Sequence, residues 1–207
     1  MNAFGIVEQF EASVAKFAGS KYAVAVNTGT SALFLSLVYT KTQGIFKGGP
    51  VVLPARTFVS VPMAVIHAGM TIQFEDVPWK GIYQLKPHPI WDGALRFRKG
   101  MYEGGLHCLS FHARKLLNIG EGGMILTDDD KAASWLKRAS YSGRSAPYYA
   151  IEDIDMIGWQ LYCTPEKAAR GLHLMEYIED DLPDQEMEYT DLRLVRAFRQ
   201  HLGRAAA

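Results

Sequence analysis

Short apolar runs alternate along this chain with segments of helical period, and that alternation limits the fold more than any other feature. The clearest run is Tyr22-Ala23-Val24-Ala25-Val26. It has no polar face, which predicts a strand buried on both sides, as in a parallel sheet. Asn27-Thr28-Gly29-Thr30-Ser31 then turns the chain into a helix that carries Ala32, Leu33, Leu35 and Leu37. Upstream, Val7, Phe10, Val14 and Phe17 recur at helical spacing, so the first segment reads as an amphipathic helix closed by Gly19-Ser20. The pattern repeats downstream. Val51-Val52-Leu53 reads as a strand, residues 58–68 as a helix ending near Gly69, and residues 71–77 as another strand. Ile90-Trp91-Asp92, residues 107–111 and Met124-Ile125-Leu126-Thr127 complete the strands, the last leading into a helix capped by the aspartates at 128 to 130. The expectation is an α/β fold, with a mostly parallel sheet and helices on both faces.

A chain of 207 residues can bury one substantial core. Lysine plus arginine and aspartate plus glutamate each number 22, so no broad field draws the protein to nucleic acid or an anionic membrane. Cys108 and Cys163, both in apolar contexts, predict a reducing compartment without a disulfide frame. With neither a secretory leader nor a membrane-spanning run expected, a cytoplasmic location follows. Beyond Gly143, Tyr148-Tyr149 and Gly158-Trp159-Gln160 read as loop, followed by a helix over residues 165–178 that Glu179-Asp180-Asp181 and Pro183 end. The last segment places Arg193, Arg196 and Arg199 on one helical stripe beside Leu192, Val195 and Phe198. The expected division is a large unit over residues 1–180 and a helical tail over 181–207.

Four features carry chemistry. Lys115 follows an apolar run and precedes Gly120-Glu121-Gly122-Gly123. A lysine held partly dry there loses affinity for its proton and can condense with a carbonyl, although most lysines are solvated surface charges. Thr28-Gly29-Thr30-Ser31 opens a helix, where amides, hydroxyls and the helix dipole suit a phosphate or simply an N-cap. Asp92 ends a strand at the edge where open α/β sheets bind ligands, and it could equally cap the next segment. Phe58 offers an aromatic face, with core packing as its default role. A phosphate turn, a lysine, a strand-end carboxylate and an aromatic platform are the parts that pyridoxal phosphate requires.

Longer stretches resemble the DegT/DnrJ-type sugar aminotransferases, which belong to the fold type I pyridoxal-phosphate enzymes. The stretch from Phe10-Glu11 to Thr28-Gly29-Thr30-Ser31-Ala32-Leu33 resembles the family's opening helix, strand and phosphate turn. Val52-Leu53-Pro54-Ala55-Arg56-Thr57-Phe58-Val59-Ser60 resembles the segment whose aromatic residue stacks on the cofactor, and Asp92-Gly93-Ala94 the segment whose aspartate meets the pyridine nitrogen. Leu109-Ser110-Phe111-His112-Ala113-Arg114-Lys115, continuing to Gly120-Glu121-Gly122-Gly123-Met124, resembles the Schiff-base motif and is the most specific match. The resemblance implies that Lys115 forms the Schiff base, Asp92 bonds the ring nitrogen and Phe58 stacks on the ring. Thr28, Gly29, Thr30 and Ser110 would bind the phosphate. Gly158-Trp159-Gln160 aligns with a segment that reaches the neighbouring subunit's phosphate, so Gln160 implies a homodimer with shared sites.

The implied reaction moves an amino group from an amino acid such as glutamate to a keto group of a nucleotide-linked sugar. Four departures qualify it. Leu95 stands where the family usually has a glutamine or histidine, Tyr162 where an arginine is common, and the span from Asp76 to Asp92 is short for the strands and helices the family places there. With about thirty residues after Ile178, the family's small domain is expected to be nearly absent from this chain. These departures keep two alternatives open: a pyridoxal-phosphate decarboxylase or lyase acting on a modified nucleotide or a nucleic-acid-linked amino acid, and a non-catalytic remnant of the fold. His107, Cys108 and His112 do not complete a metal site, because adjacent strand residues point to opposite faces. His112 is expected near Lys115 instead. Arg96-Phe97-Arg98-Lys99 and the C-terminal arginines suit either phosphate contacts or solvated faces, and nucleic acid is not the favoured partner.

Overall fold

The protein, as a computed structural model, is described for residues 4–46, 48–145 and 152–202. Helix α1 (Gly5–Ala18) leads into strand β1 (Tyr22–Val26) and helix α2 (Gly29–Thr42), as the sequence predicts. Strand β2 (Val51–Pro54), helix α3 (Ser60–His67) and strand β3 (Ile72–Glu75) follow. Then come β4 (Tyr83–Gln84), β5 (Ile90–Asp92), β6 (Leu106–Ser110) and β7 (Gly123–Thr127), with α4 (Asp130–Ser140) and α5 (Pro165–Met175) after them. Tyr148-Tyr149 lie outside the described residues.

The main sheet runs β1-β7-β6-β5-β4, and β2 pairs in parallel with β3 beside it. A single antiparallel bridge from Val52 to Lys86 links β2 to the chain just past β4. β1 and β6 both run against β7, β5 runs with β6, and β4 runs against β5. It follows that β1, β2, β3, β5 and β6 point the same way while β4 and β7 oppose them. Most strands therefore share a direction, although hydrogen-bonded neighbours are mixed.

Strand periodicity explains the two-sided burial. Val24 and Val26 of β1 belong to one apolar layer, with residues of α2, α3 and α4, while Ala23 and Ala25 belong to the other, with α1 and α5. β7 divides likewise, Ile125 facing the first layer and Met124 and Leu126 the second. Each fully buried valine or leucine contributes roughly 1.5–3 kcal/mol relative to exposure. The edge strand β1 is covered by a charge. Glu11, on the buried side of α1, accepts the outward amide of Ala25 at 2.8 Å and pairs with Lys137 of α4 at 2.8 Å. Burial raises the carboxyl's pKa, and the ammonium and the amide draw it back.

Three expectations change. The sequence gives no hint of β4, because a two-residue strand carries no periodicity. The helix expected from residue 58 begins at Ser60 instead, and Phe58 is 53% exposed in front of it, which rules out core packing as its role. The C-terminal arginine stripe is not a single α-helix: residues Leu192–Leu194 and Arg196–His201 form short 3-10 helices. Leu192 and Phe198 plug into the core from there, while Arg193 is held outside by Asp191 and Asp76. Anchoring at these points, rather than helical period, sets the path of the segment.

Candidate active site

β1, β5 and β6 end at one edge of the sheet, the edge where crossovers leave a crevice for ligands. β1 delivers the turn that starts α2, β5 delivers Asp92, and β6 delivers Ser110. The turn and its neighbours are packed backbone to backbone. A Cβ on Gly123 would lie 2.3 Å from the carbonyl oxygen of Thr28, and one on Gly29 would lie 2.8 Å from Cβ of Ser110. Only glycines permit this approach, which brings the start of β7, the end of β6 and the N-terminus of α2 together.

Thr28 caps α2 in an extended conformation (φ −151°, ψ 159°), its hydroxyl accepting the amide of Ser31 at 3.0 Å. The N-cap is thus present, and it leaves other amides of the first turn beside the crevice. The hydroxyls of Thr30 and Ser60 lie 2.7 Å apart, so the α3 N-terminus adds a polar group that the sequence did not single out.

A cavity of about 280 Å³ opens at this edge. Thr28, Gly29, Thr30 and Ser110 line it, together with Phe58, Asp92 and Lys115. Seven of the eight expected site residues thus converge from four separate stretches of chain. Gln160, the eighth, lies elsewhere, accepting the Ser142 hydroxyl at 2.6 Å and bridging to Tyr141. His112 lines the cavity beside Lys115, as expected. Cys108 borders it from the buried side, 3.3 Å from the Ser36 hydroxyl, and burial pushes its thiol pKa up. Among the described residues no cluster of His, Cys, Asp or Glu could hold a metal ion.

Lys115 and Asp92 are displaced from their ordinary pKa values in opposite directions. Burial lowers the lysine's, with the Asp92 charge opposing, and leaves Nζ 3.8 Å from the Met187 sulfur. Asp92 is almost wholly buried, and the loss of water raises its pKa. Two donors restrain that rise: the Ala94 amide at 3.0 Å on Oδ1 and the Tyr83 hydroxyl at 2.9 Å on Oδ2. An amine of weakened basicity and a buried, hydrogen-bonded carboxylate in one cavity suit proton and carbonyl chemistry.

The remaining wall escaped sequence reading. Trp79, Met187 and Tyr189 line the cavity with Phe58. The Trp79 and Tyr189 rings are stacked at 5.9 Å and 17°, and the Phe58 ring meets Tyr189 edge-on at 6.5 Å. Burial and the Asp92 charge push the Tyr189 hydroxyl pKa up to about 12. This segment is tied down at both ends. Arg96 grips Asp184 with two parallel bonds of 2.8 and 2.7 Å, and Asp191 lies within the Arg56, Asp76 and Arg193 network.

The profile of the DegT/DnrJ/EryC1/StrS aminotransferase family matches residues 4–92 and 98–192. The chain belongs to this family. The spore coat polysaccharide biosynthesis protein SpsC of Bacillus subtilis is 30% identical over 228 aligned residues, which take in 84% of this chain and 57% of SpsC. GDP-perosamine synthase of Caulobacter vibrioides is 26% identical, with 96% of this chain and 62% of that protein aligned. Among solved structures, a DegT/DnrJ/EryC1/StrS aminotransferase from Brucella abortus superimposes with a TM-score of 0.70 at 21% identity, over 86% of this chain and 60% of that one. The fold is therefore that of the aminotransferases. This chain spans about 60% of the length of these two curated relatives. Leu95 is buried against an outer groove rather than in the cavity lining, and Tyr162 packs among Phe4 and Tyr141. No helix among the described residues is long and apolar enough to cross a membrane.

Proposed function

We propose that this chain binds pyridoxal phosphate and serves as an aminotransferase that passes an amino group from an amino acid such as glutamate to a keto group of a nucleotide-linked sugar. The observation that carries the reading is the meeting of Lys115, Asp92, Phe58 and the Thr28–Thr30 turn in one cavity. The residues fit the group: the Thr28–Thr30 turn at the N-terminus of α2 lines the cavity, where free amides and hydroxyls suit a phosphate, and the buried carboxylate of Asp92 lines the same cavity. When bound, pyridoxal phosphate supplies a carbonyl for an amine and a ring that takes up an electron pair.

The chain's own groups then divide the work. Thr28, Gly29, Thr30 and Ser110 hold the phosphate with amides and hydroxyls, aided by the α2 dipole. Phe58 would offer its aromatic face to the cofactor's ring. Asp92, ionised, would favour the protonated form of the ring nitrogen. Lys115 would be the amine for the cofactor's carbonyl, and burial, by favouring its neutral Nζ, suits it to take up and return a proton. Met187, Tyr189 and Trp79 limit water at the mouth. Gln160, outside its own chain's cavity, is the residue that a second copy would supply, so the working form is a homodimer. The two buried, unpaired thiols support a cytoplasmic setting.

Adding pyridoxal phosphate to the purified protein should produce a visible absorbance band that Lys115→Ala lacks. An unchanged wild-type spectrum would overturn the reading. With a labelled amino acid, formation of the keto acid marks amino transfer, whereas release of carbon dioxide in its place would mark the decarboxylase alternative.

A further inference from the structure

The hairpin between Asp76 and Asp92 supplies a residue of its own to the site. Tyr83 on β4 lies directly opposite Asp92 on β5 in antiparallel register. Side chains of a directly opposed pair leave the sheet on the same side, so the ladder itself carries the phenol to the carboxylate. Its hydroxyl reaches Oδ2 at 2.9 Å, and the Thr57 hydroxyl stands 2.6 Å from the phenolic oxygen. An ionised carboxylate only accepts hydrogen bonds, and a phenol has one proton to give. The direction of the chain is thereby fixed: Thr57 donates to Tyr83, and Tyr83 donates to Asp92. Trp79, meeting the Tyr83 ring edge-on at 4.6 Å, holds the ring from the cavity side.

Resting on the cofactor reading above, we infer that Tyr83 is a positioning residue: it orients Asp92 and keeps it ionised toward the ring nitrogen of the bound cofactor. Asp92 needs such help because burial favours its protonated form, and apart from Tyr83 this is offset by the Ala94 amide and, more weakly, by the Lys115 charge. A protonated Asp92 cannot keep a pyridine nitrogen charged. The sixteen positions from Asp76 to Asp92 are thus more than a deletion from the usual family span. They fold back as a strand that completes the carboxylate's hydrogen bonds.

The test compares two ligands: pyridoxal phosphate and its 1-deaza analogue, which carries C–H in place of the ring nitrogen and has nothing for Asp92 to pair with. Dissociation constants of both are measured for the wild-type full chain and for Tyr83→Phe. The expected result is a loss of roughly tenfold in pyridoxal phosphate affinity, with affinity for the deaza analogue changed less than about twofold. Thr57→Val should shift the same ratio less, with Thr57→Ser restoring it, and this pair carries the test if Tyr83→Phe does not fold. Equal weakening of both ligands, or an unchanged ratio, overturns the role of Tyr83 while leaving the cofactor reading intact. Failure of the wild type to bind either ligand overturns the cofactor reading and this inference with it.

Discussion

One side of the cavity is made by short stretches acting through their own backbone, and the other by side chains gathered from distant segments. Thr28, Gly29 and Ser110 stand where they do because strands end and a helix begins, with glycines allowing the backbones to touch. Trp79, Met187 and Tyr189 are brought in by a hairpin and by the segment at 184–191, fastened through ion pairs and a few backbone bonds. The first kind of wall is rigid and tolerates no added atoms. The second can be loosened one contact at a time, as expected of a surface that adapts to a substrate.

If the comparison is right, the backbone wall should break hardest. Gly123→Ala forces a methyl onto the Thr28 carbonyl, where nothing flexible can move aside. A loss of about 3 kcal/mol or more in urea unfolding is expected, with collapse of cofactor binding. A change under about 1 kcal/mol would show that the turn is looser than its packing indicates.

The strand that carries Ser110 should also make the protein acid-sensitive. His107 is buried between the Trp91 and Tyr102 rings, and burial lowers its pKa to about 4. The unfolded chain, near the ordinary 6.5, takes up the proton first. Stability tied to this group is therefore complete above pH 6.5 and declines as the pH falls toward 4, by up to roughly 3 kcal/mol. Unfolding measured across that range should show the decline in wild type and a flatter profile in His107→Gln. An identical profile in both would remove His107 from the account.

On the assembled side, Arg96→Met leaves Asp184 half-buried without its paired donors. The expected cost is roughly 2 kcal/mol, smaller than at Gly123, together with freer motion of Tyr189 read by its fluorescence anisotropy in a variant lacking other tyrosine signal. Gln185 still ties the segment through the Leu95 and Arg114 carbonyls, so cofactor binding should weaken without vanishing. The smallest effect belongs to Asp76→Asn. Its pairs with Arg56 and Arg193 lie in solvent, and Asp191 remains to hold both arginines. The urea midpoint should not move beyond repeat scatter, and added salt should make no difference.

The contrast also explains what could be read in advance. β1, β5 and the strands around Ser110 announce themselves through continuous apolar runs, because a strand covered on both faces has no use for polar residues. Asp92 and the Thr28 turn were legible because each sits at a strand end, and Lys115 because it lies in the turn between β6 and the glycines before β7, positions that local pattern marks. Tyr83 was not, since β4 spans two residues and its register against Asp92 depends on a hairpin. Phe58 was found in sequence but given the wrong default, because exposure at a cavity mouth leaves no mark in periodicity. Leu192 and Phe198 have the spacing of a helix, yet the core they fill lies where two short 3-10 turns, not one α-helix, can reach it.

Sequence by itself determined the alternating layers, the sheet edge that carries the site, and the family, because burial period and the chemistry of strand ends are local properties. Tertiary structure alone decided that Tyr83 donates to Asp92, that Tyr189 and Met187 close the cavity, and that Gln160 stays out of it. Those are contacts between segments far apart in the chain, and their geometry follows from packing that no single stretch encodes.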